Sequence, residues 1–470
     1  MPRPTMFNTL FRRLLQLDKP LPTCTPESFA ADVQRNYRWN FTFNLLDGAN
    51  GSLGISFLSA TTIVPLFISK LTDSALAIGV AAMIAQGGWY LPQLFTSRFV
   101  ERLARKKPVV VNLGFFTERI PMWLLILAAL LAVPHSAGTF PLGGFHISGS
   151  TAALALFLFA YGWHYLGAGL VGTAWQNLLA RCFPVESRGR FYGTTQFVGA
   201  GAGAVAAVFC SWILDRFDFP INFAVVFALS AIFINLSWLS LAFTREPLEP
   251  MADPPAAANT HFLAQLPQIL RRDANYRRFL IARVILALGN MGAGFITVAA
   301  VRRWHLPDGI IGRYAAAYLV GQTIGPLVVG FLADHLGHKL SVELSALSAA
   351  TSFAIAWLAP SPMWFYASFV LAGASYGALV VSGMLVVFEF CTSDKVPTYT
   401  GLTNTMVGLT NMAAPLLGAY LSTLSYNWLF ATSAAVSLLA MLLLHFWVHE
   451  PRWAAAPEVP VEEYAMAGAE

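Results

Sequence analysis

Charge is what this chain lacks: only 11% of its 470 residues are Asp, Glu, Lys or Arg, while 56% are hydrophobic and mean hydropathy is +0.59. Soluble domains carry about 25% charged residues, so too little charge is present to cover a water-facing surface. Lipid is the solvent that this composition fits. Cysteine is scarce too. Cys24, Cys182, Cys210 and Cys391 are scattered with no CxxC spacing and no His cluster nearby, so neither a disulfide nor a metal site is expected. No Gly-x4-Gly-Lys-Ser/Thr phosphate loop is present, which removes the usual signature of ATP hydrolysis. The net charge of +5 sits in short clusters between apolar runs, a pattern of membrane orientation and not of a nucleic-acid surface. No cofactor is implied.

What is there is a series of apolar runs. A span needs roughly 20 mainly apolar residues to cross a hydrocarbon core of about 30 Å. Such runs fall near 42–68, 75–97, 108–133, 151–180, 191–214 and 222–244, then near 279–302, 310–332, 340–359, 363–391, 397–423 and 427–449. None alternates in polarity as a barrel strand would, so the expected fold is an all-α polytopic membrane protein of twelve transmembrane helices. No cleavable signal is expected before the first run. The leader, 1–41, is read as cytoplasmic; Phe7, Leu10, Phe11 and Leu14 share a helical face beside Arg12 and Arg13, which fits either a surface helix or a disordered tail. The longest polar stretch, 245–278, holds Pro247, Pro250, Pro254 and Pro255 and divides the runs six and six. The expected units are therefore a bundle over 42–244, a cytoplasmic linker over 245–278, a bundle over 279–449 and a cytoplasmic tail over 450–470.

Basic residues set the orientation. Arg3, Arg12, Arg13, Lys19, Arg35 and Arg38 crowd the leader; Arg98, Arg102, Arg105, Lys106 and Lys107 fill the second loop, and Arg181, Arg188 and Arg190 the fourth. Alternate loops are nearly bare. The positive-inside rule places both termini in the cytoplasm of a multi-pass protein of the cell membrane, with Arg302 and Arg303 a local exception.

The halves repeat. Ser97-Arg-Phe99-Val-Glu101-Arg102-Leu-Ala104-Arg105-Lys106 aligns without a gap on Gly330-Phe-Leu332-Ala-Asp334-His335-Leu-Gly337-His338-Lys339, and Gly79 and Gly88 match Gly312 and Gly321 at the same offset. After a longer first-half loop, Tyr192-Gly193 with Gln196 matches Thr400-Gly401 with Asn404. The pattern Gly-x-Leu-Ala-Asp-x-x-Gly-x-Lys resembles the signature loop of the major facilitator superfamily. The second-half copy is the better match; the first departs at Ser97, Glu101 and Ala104. Cys182-Phe-Pro184-Val-Glu186-Ser-Arg188-Gly189-Arg190 is similar to that family's loop after helix four.

The resemblance, covering about Thr42 to His449, implies two six-helix bundles rocking about a central site. Helices one, four, seven and ten would line the cavity, and two, five, eight and eleven the seam. It also implies a cytoplasmic latch in which Glu101 faces the start of helix eleven near Lys395, Pro397 and Thr398, and Asp334 faces helix five near Arg188 and Arg190. A carboxylate at a helix N-terminus gains about 0.3–2 kcal/mol, little enough to release. Arg102, Arg105, Lys106 and Lys339 complete the expected gate. The alternative is that these charges only orient loops.

Ionisable groups at membrane depth read as functional. Glu118 and Arg119 in helix three and His164 in helix four are the clearest, with neighbours on an α-helix pointing about 100° apart and so not required to pair. The resemblance places helix three behind the cavity, which favours a structural charge network for Glu118 and Arg119; the alternative for His164 is a hydrogen-bonded packing histidine. Three stripes recur near helical spacing: Asp47, Asn50, Gly54 and Thr61; Arg283, Asn290 and Thr297; Ser375, Ser382 and Glu389. These are expected to face the cavity, with Asp47, Arg283 and Glu389 at its cytoplasmic mouth and a carboxylate pairing Arg283, unless they rest at the headgroup boundary. Trp163, Tyr165, Trp175 and Tyr376 are candidate walls. The function expected is passage of a small solute by a monomeric secondary transporter in the lipid bilayer, with proton coupling through Asp47, Glu118 or His164. Drug–proton exporters of the resembled family carry a buried Arg in helix four and a Gly-x-x-x-Gly-Pro run in helix five; here helix four has no Arg before Arg181, and helix five has Gly199 and Gly203 without the Pro. Drug–proton exchange is thereby disfavoured. The alternative is a membrane enzyme using His164 and Glu118, or a non-transporting sensor.

Overall fold

A computed structural model describes residues 12–20, 24–132, 139–142, 145–248, 270–391 and 396–451. Twelve crossings are built from the helices. The first is Pro26–Phe57 continued, after a break, by Ile63–Leu71; the second is Ala75–Glu101. The third runs from Val109 to Leu130, its first part π-helical, and the fourth to sixth are Gly149–Cys182, Val185–Arg216 and Ile221–Ala242. The seventh is Ala274–Gly289 and Phe295–Trp304 across a 3₁₀ turn; the eighth to twelfth are Ile310–Leu336, His338–Leu358, Trp364–Phe388, Val396–Leu424 and Tyr426–Trp447. The one departure from all-α among the described residues is a hairpin before the fourth span, where Thr139–Leu142 pairs antiparallel with Phe145–Ser148.

Ten helices meet a length-and-composition test for crossing a membrane; the first and eleventh spans do not. The first fails because it is broken and studded with Asn, and the eleventh because Thr, Asn and Gly dilute its apolar face. Both still pack within the bundles, so tertiary contacts supply what hydropathy does not.

The first helix starts sixteen residues before the expected boundary. Thr25 accepts the Ser28 N–H while Ser28 accepts the Thr25 N–H, a reciprocal cap, and Pro26 occupies the first turn, where no amide proton is needed. Downstream, Asn36, Asn40 and Asn44 recur every four residues on one face. Asn40 exchanges two bonds with the Arg245 backbone (2.9 and 2.8 Å), Asn36 accepts from the Arg245 guanidinium and Asn44 from the Thr244 hydroxyl. This polar seam fastens the first span to the end of the sixth.

The repeat is visible in packing. A Cβ on Gly88 would strike the backbone of Tyr165 and Leu166 in span four, and one on Gly321 that of Val370 in span ten. Gly79 lies against Pro415 and Ala419 of span eleven, and its counterpart Gly312 against Ala207 and Ser211 of span five. Spans two with eleven, and five with eight, thus form the two seams between halves.

Candidate functional site

The first and seventh spans break at equivalent points of the repeat, 58–62 and 290–294, and the two breaks meet: the Thr297 hydroxyl donates to the Thr61 carbonyl at 2.9 Å. Around this contact the ends of the molecule farthest from both termini are tied across the halves. Lys70 pairs with Asp308 at 2.7 Å, Arg302 with Asp73 at 2.8 Å and Arg313 with Asp215 at 3.6 Å. Asp215 also accepts the Gly309 N–H (3.0 Å), and Ser211 donates to the Gly309 carbonyl (2.5 Å). Arg302, the exception to the charge rule, is thereby employed, and Arg303 lies over the Trp304 ring at 4.8 Å. These hydrogen bonds and ion pairs join the halves at the end away from the termini.

At the opposite end, four of the six basic residues expected to gate the mouth make bonds within their own half. Lys106 is buried and donates to the carbonyls of Val100 and Leu103, closing the second span's C-terminus. Arg188 does the same for span four through Ala180 (2.6 Å) and Phe183 (3.2 Å), and Arg105 reaches the Pro20 carbonyl. Lys339 pairs with Glu343 of its own helix at 2.9 Å, and Glu343 also meets His445. Arg102 and Arg190 are exposed. The side chains of Glu101 and Asp334, the two expected latch acids, lie outside the described residues, as do those of Pro397 and Thr398 and all of Lys395. Glu246 knits this face together: its carboxylate accepts the Lys106 and Lys107 N–H groups (2.6 and 3.0 Å) and faces Arg181 at 3.5 Å. Burial pushes the Glu246 carboxyl above its ordinary range, opposed by those two N–H donors and the neighbouring cations. A cavity of about 630 Å³ opens here beside Lys19, Trp39, Arg105, Lys107, Arg245 and Glu246; it is walled by the first half alone.

Within the first half, five of the candidates converge with one residue not foreseen. Asp47 accepts the Ser237 hydroxyl at 2.5 Å and the Trp175 indole N–H at 3.3 Å, and lies within electrostatic reach of Arg119 and Glu118. Glu118 and Arg119 pair with each other, which α-helical spacing did not require. The reason is local. Pro121 has no N–H to give the Thr117 carbonyl, the ladder shifts, and Phe115–Arg119 winds as a π-turn that re-aims both side chains. His164 donates from Nδ1 to the Glu118 carbonyl at 2.9 Å, within the same loosened turn. Ser237 carried no sequence signal beyond lying in an apolar run.

Several residues of the stripes make packing contacts. Asp47, Gly51 and Gly54 face span six, where the Ser230 hydroxyl reaches the Gly54 carbonyl at 2.7 Å. Asn50 bonds the Leu46 carbonyl and Asn290 that of Leu286, both in their own helices. Ser375 bonds Ser345 of span nine. The pairing expected for Arg283 is also absent: among the described residues no carboxylate lies within ion-pair distance of it, Asp47 being engaged in the other half. Glu389 is half-buried at the end of span ten.

This twelve-span arrangement has relatives. The sequence model of the Major Facilitator Superfamily matches residues 279–464, which include the better copy of the signature loop. That stretch, 186 of the 470 residues, is similar to the major facilitator superfamily. The chain's long apolar helices are those of a multi-pass membrane protein. A gentisate transporter of Corynebacterium glutamicum is 31% identical over 104 residues, 22% of each chain. The bovine solute carrier family 2, facilitated glucose transporter member 8, is 27% identical over 190 residues, 38% of this chain and 39% of that one. These matches thus span well under half of the curated relatives' length. Whole-chain likeness comes from structures: the nucleoside transporter NupG superposes with a TM-score of 0.60 at 15% identity, over 86% of this chain and 98% of that one. A D-xylose–proton symporter gives 0.61 at 14% identity, over 88% and 97%. At such identity the likeness is one of fold.

Proposed function

We propose that this transporter carries a small solute across the cell membrane by alternating access, with both termini cytoplasmic and the bundles on either side of the 245–278 linker as the moving bodies. The observation that carries the reading is the set of inter-half bonds and ion pairs at the end away from the termini. With the basic leader and loops in the cytoplasm, that end is extracellular and closed, and the hollow between spans one, four, seven and ten opens inward. Ion pairs at an exposed rim are weak individually, which suits a gate that has to part. Asp47, a buried carboxylate held by two neutral donors, is the proposed proton carrier, since either protonation state keeps a hydrogen-bonding role there.

Reconstitution tests this. Proteoliposomes should show solute flux that depends on the protein, and flux should fall when the proton gradient is collapsed or when Asp47 is replaced by Asn. Flux indifferent to both removes Asp47 from the coupling step; the absence of flux for every solute in a broad panel, alongside ligand binding, would favour the sensor reading.

A further inference from the structure

Resting on that transport reading, we infer that the solute is an organic carboxylate whose anionic group docks on Arg283. Arg283 stands in span seven with 8% exposure, and its Nε has no hydrogen-bond partner. No carboxylate among the described residues neutralises it. A guanidinium stays charged under all ordinary conditions, and an isolated buried charge costs several kcal/mol. A cation maintained at that cost in a membrane interior calls for an anion from outside the chain.

The surroundings are shaped for one. Gly383 of span ten lies beneath the guanidinium, and a Cβ there would come within 3.1 Å of Nη2, so the missing side chain leaves the fork its room. Next to it, the Ser382 hydroxyl is buried without a partner. From the other half, Tyr90 of span two comes within electrostatic reach of Arg283 and also packs beside Gly408 of span eleven. Tyr376 of span ten is 49% exposed, yet it lies within electrostatic reach of Tyr90 and Tyr165 across the divide. A side chain facing lipid would not reach the opposite half; an exposed one that does so faces the hollow between them. A fork of N–H donors matches a carboxylate bidentately, and phenol rings offer flat faces with a polar tip to the body attached to it. The site therefore fits a carboxylate on a compact, apolar or aromatic frame.

The test is binding by the purified full-length protein in detergent, measured by thermal shift and calorimetry, with benzoate and 3-phenylpropanoate set against benzamide, benzylamine and phenyl phosphate. At least one carboxylate should raise the thermal midpoint and bind about tenfold or more tighter than its amide. Arg283→Gln should abolish that preference, and Arg283→Lys, which keeps the charge without the fork, should retain part of it. Should Arg283→Gln fail to fold, Gly383→Ala crowds the guanidinium and should weaken carboxylate binding about tenfold with the fold intact. Equal binding of carboxylate and amide, binding by benzylamine or phenyl phosphate alone, a preference that survives Arg283→Gln, or no response to either carboxylate would each overturn the assignment. Flux is read separately: neutral solutes carried without carboxylate binding would leave transport standing and this inference refuted, whereas carboxylate binding without flux would do the reverse.

Discussion

Neutralising Asp308 should release the closed end. Its carboxylate meets Lys70 at 2.7 Å with only 14% of the side chain exposed, so this pair is better shielded than its neighbours. An ion pair near a surface contributes about 0.2–1 kcal/mol, and Lys70–Asp308 belongs at the upper limit. Asp215, which joins Arg313 and also accepts the Gly309 N–H, adds a charge-assisted bond of about 1 kcal/mol. Asp73 is 98% exposed, and its pair with Arg302 should contribute almost nothing. Asp308→Asn with Asp215→Asn should therefore cost the closed state about 2 kcal/mol, roughly a thirtyfold shift toward opening. The assay is the rate at which Thr297→Cys, fully buried where the two broken spans meet, reacts with a membrane-impermeant maleimide from the side away from the termini. The native cysteines are corrected for with the parent protein. Reaction should accelerate about thirtyfold in the double variant, about fivefold in Asp308→Asn alone, and hardly at all in Asp73→Asn. Exchanging the charges, as Lys70→Asp with Asp308→Lys, should restore much of the slow rate. Equal rates in parent and double variant would refute the reasoning.

Further outcomes follow from the same contacts. Asp47→Ala removes the acceptor for both Ser237 and Trp175 and leaves Arg119 facing one fewer anion; thermal unfolding in detergent should show a loss of about 2–4 kcal/mol, with Trp175 fluorescence altered. Gly312→Val places a side chain against the Ala207 carbonyl and the Ser211 backbone, so the seam between spans five and eight should lose about 1–3 kcal/mol, seen as a lower thermal midpoint with normal membrane insertion. Asn40→Ala strips both bonds from the Arg245 backbone and should free the start of the linker, detected as faster proteolysis after the sixth span. For Glu246 the folded-state affinity for a proton is raised above the ordinary value of 4.5, so the folded chain holds more protons than the unfolded one just above that pH. Its contribution to stability should therefore be greatest below pH 4.5 and decline as pH rises through the folded value, measured as the midpoint of the native protein minus that of Glu246→Gln.

Hydropathy alone fixes that this chain lives in lipid, because lipid tolerates no free backbone amides and a long apolar run has only the helix to adopt. Twelve crossings were legible for that reason, and so was the repeat of Gly79 and Gly88 in Gly312 and Gly321, since close packing between helices demands small residues at fixed intervals; which helices form the seams came only from the family resemblance. Side-chain partners were not legible. The pairing of Glu118 with Arg119 depended on a π-turn set by Pro121, and the convergence of Asp47, Trp175 and Ser237 joins residues from spans one, four and six, whose mutual rotation no one-dimensional period encodes. Likewise, charge counting made Arg302 an anomaly, and only the meeting of the halves gave it Asp73 as a partner. Sequence determined the solvent, the rods and their duplication, all local or compositional properties. Which charges are satisfied, and that Arg283 meets no carboxylate among the described residues, was decided by how those rods turn against one another.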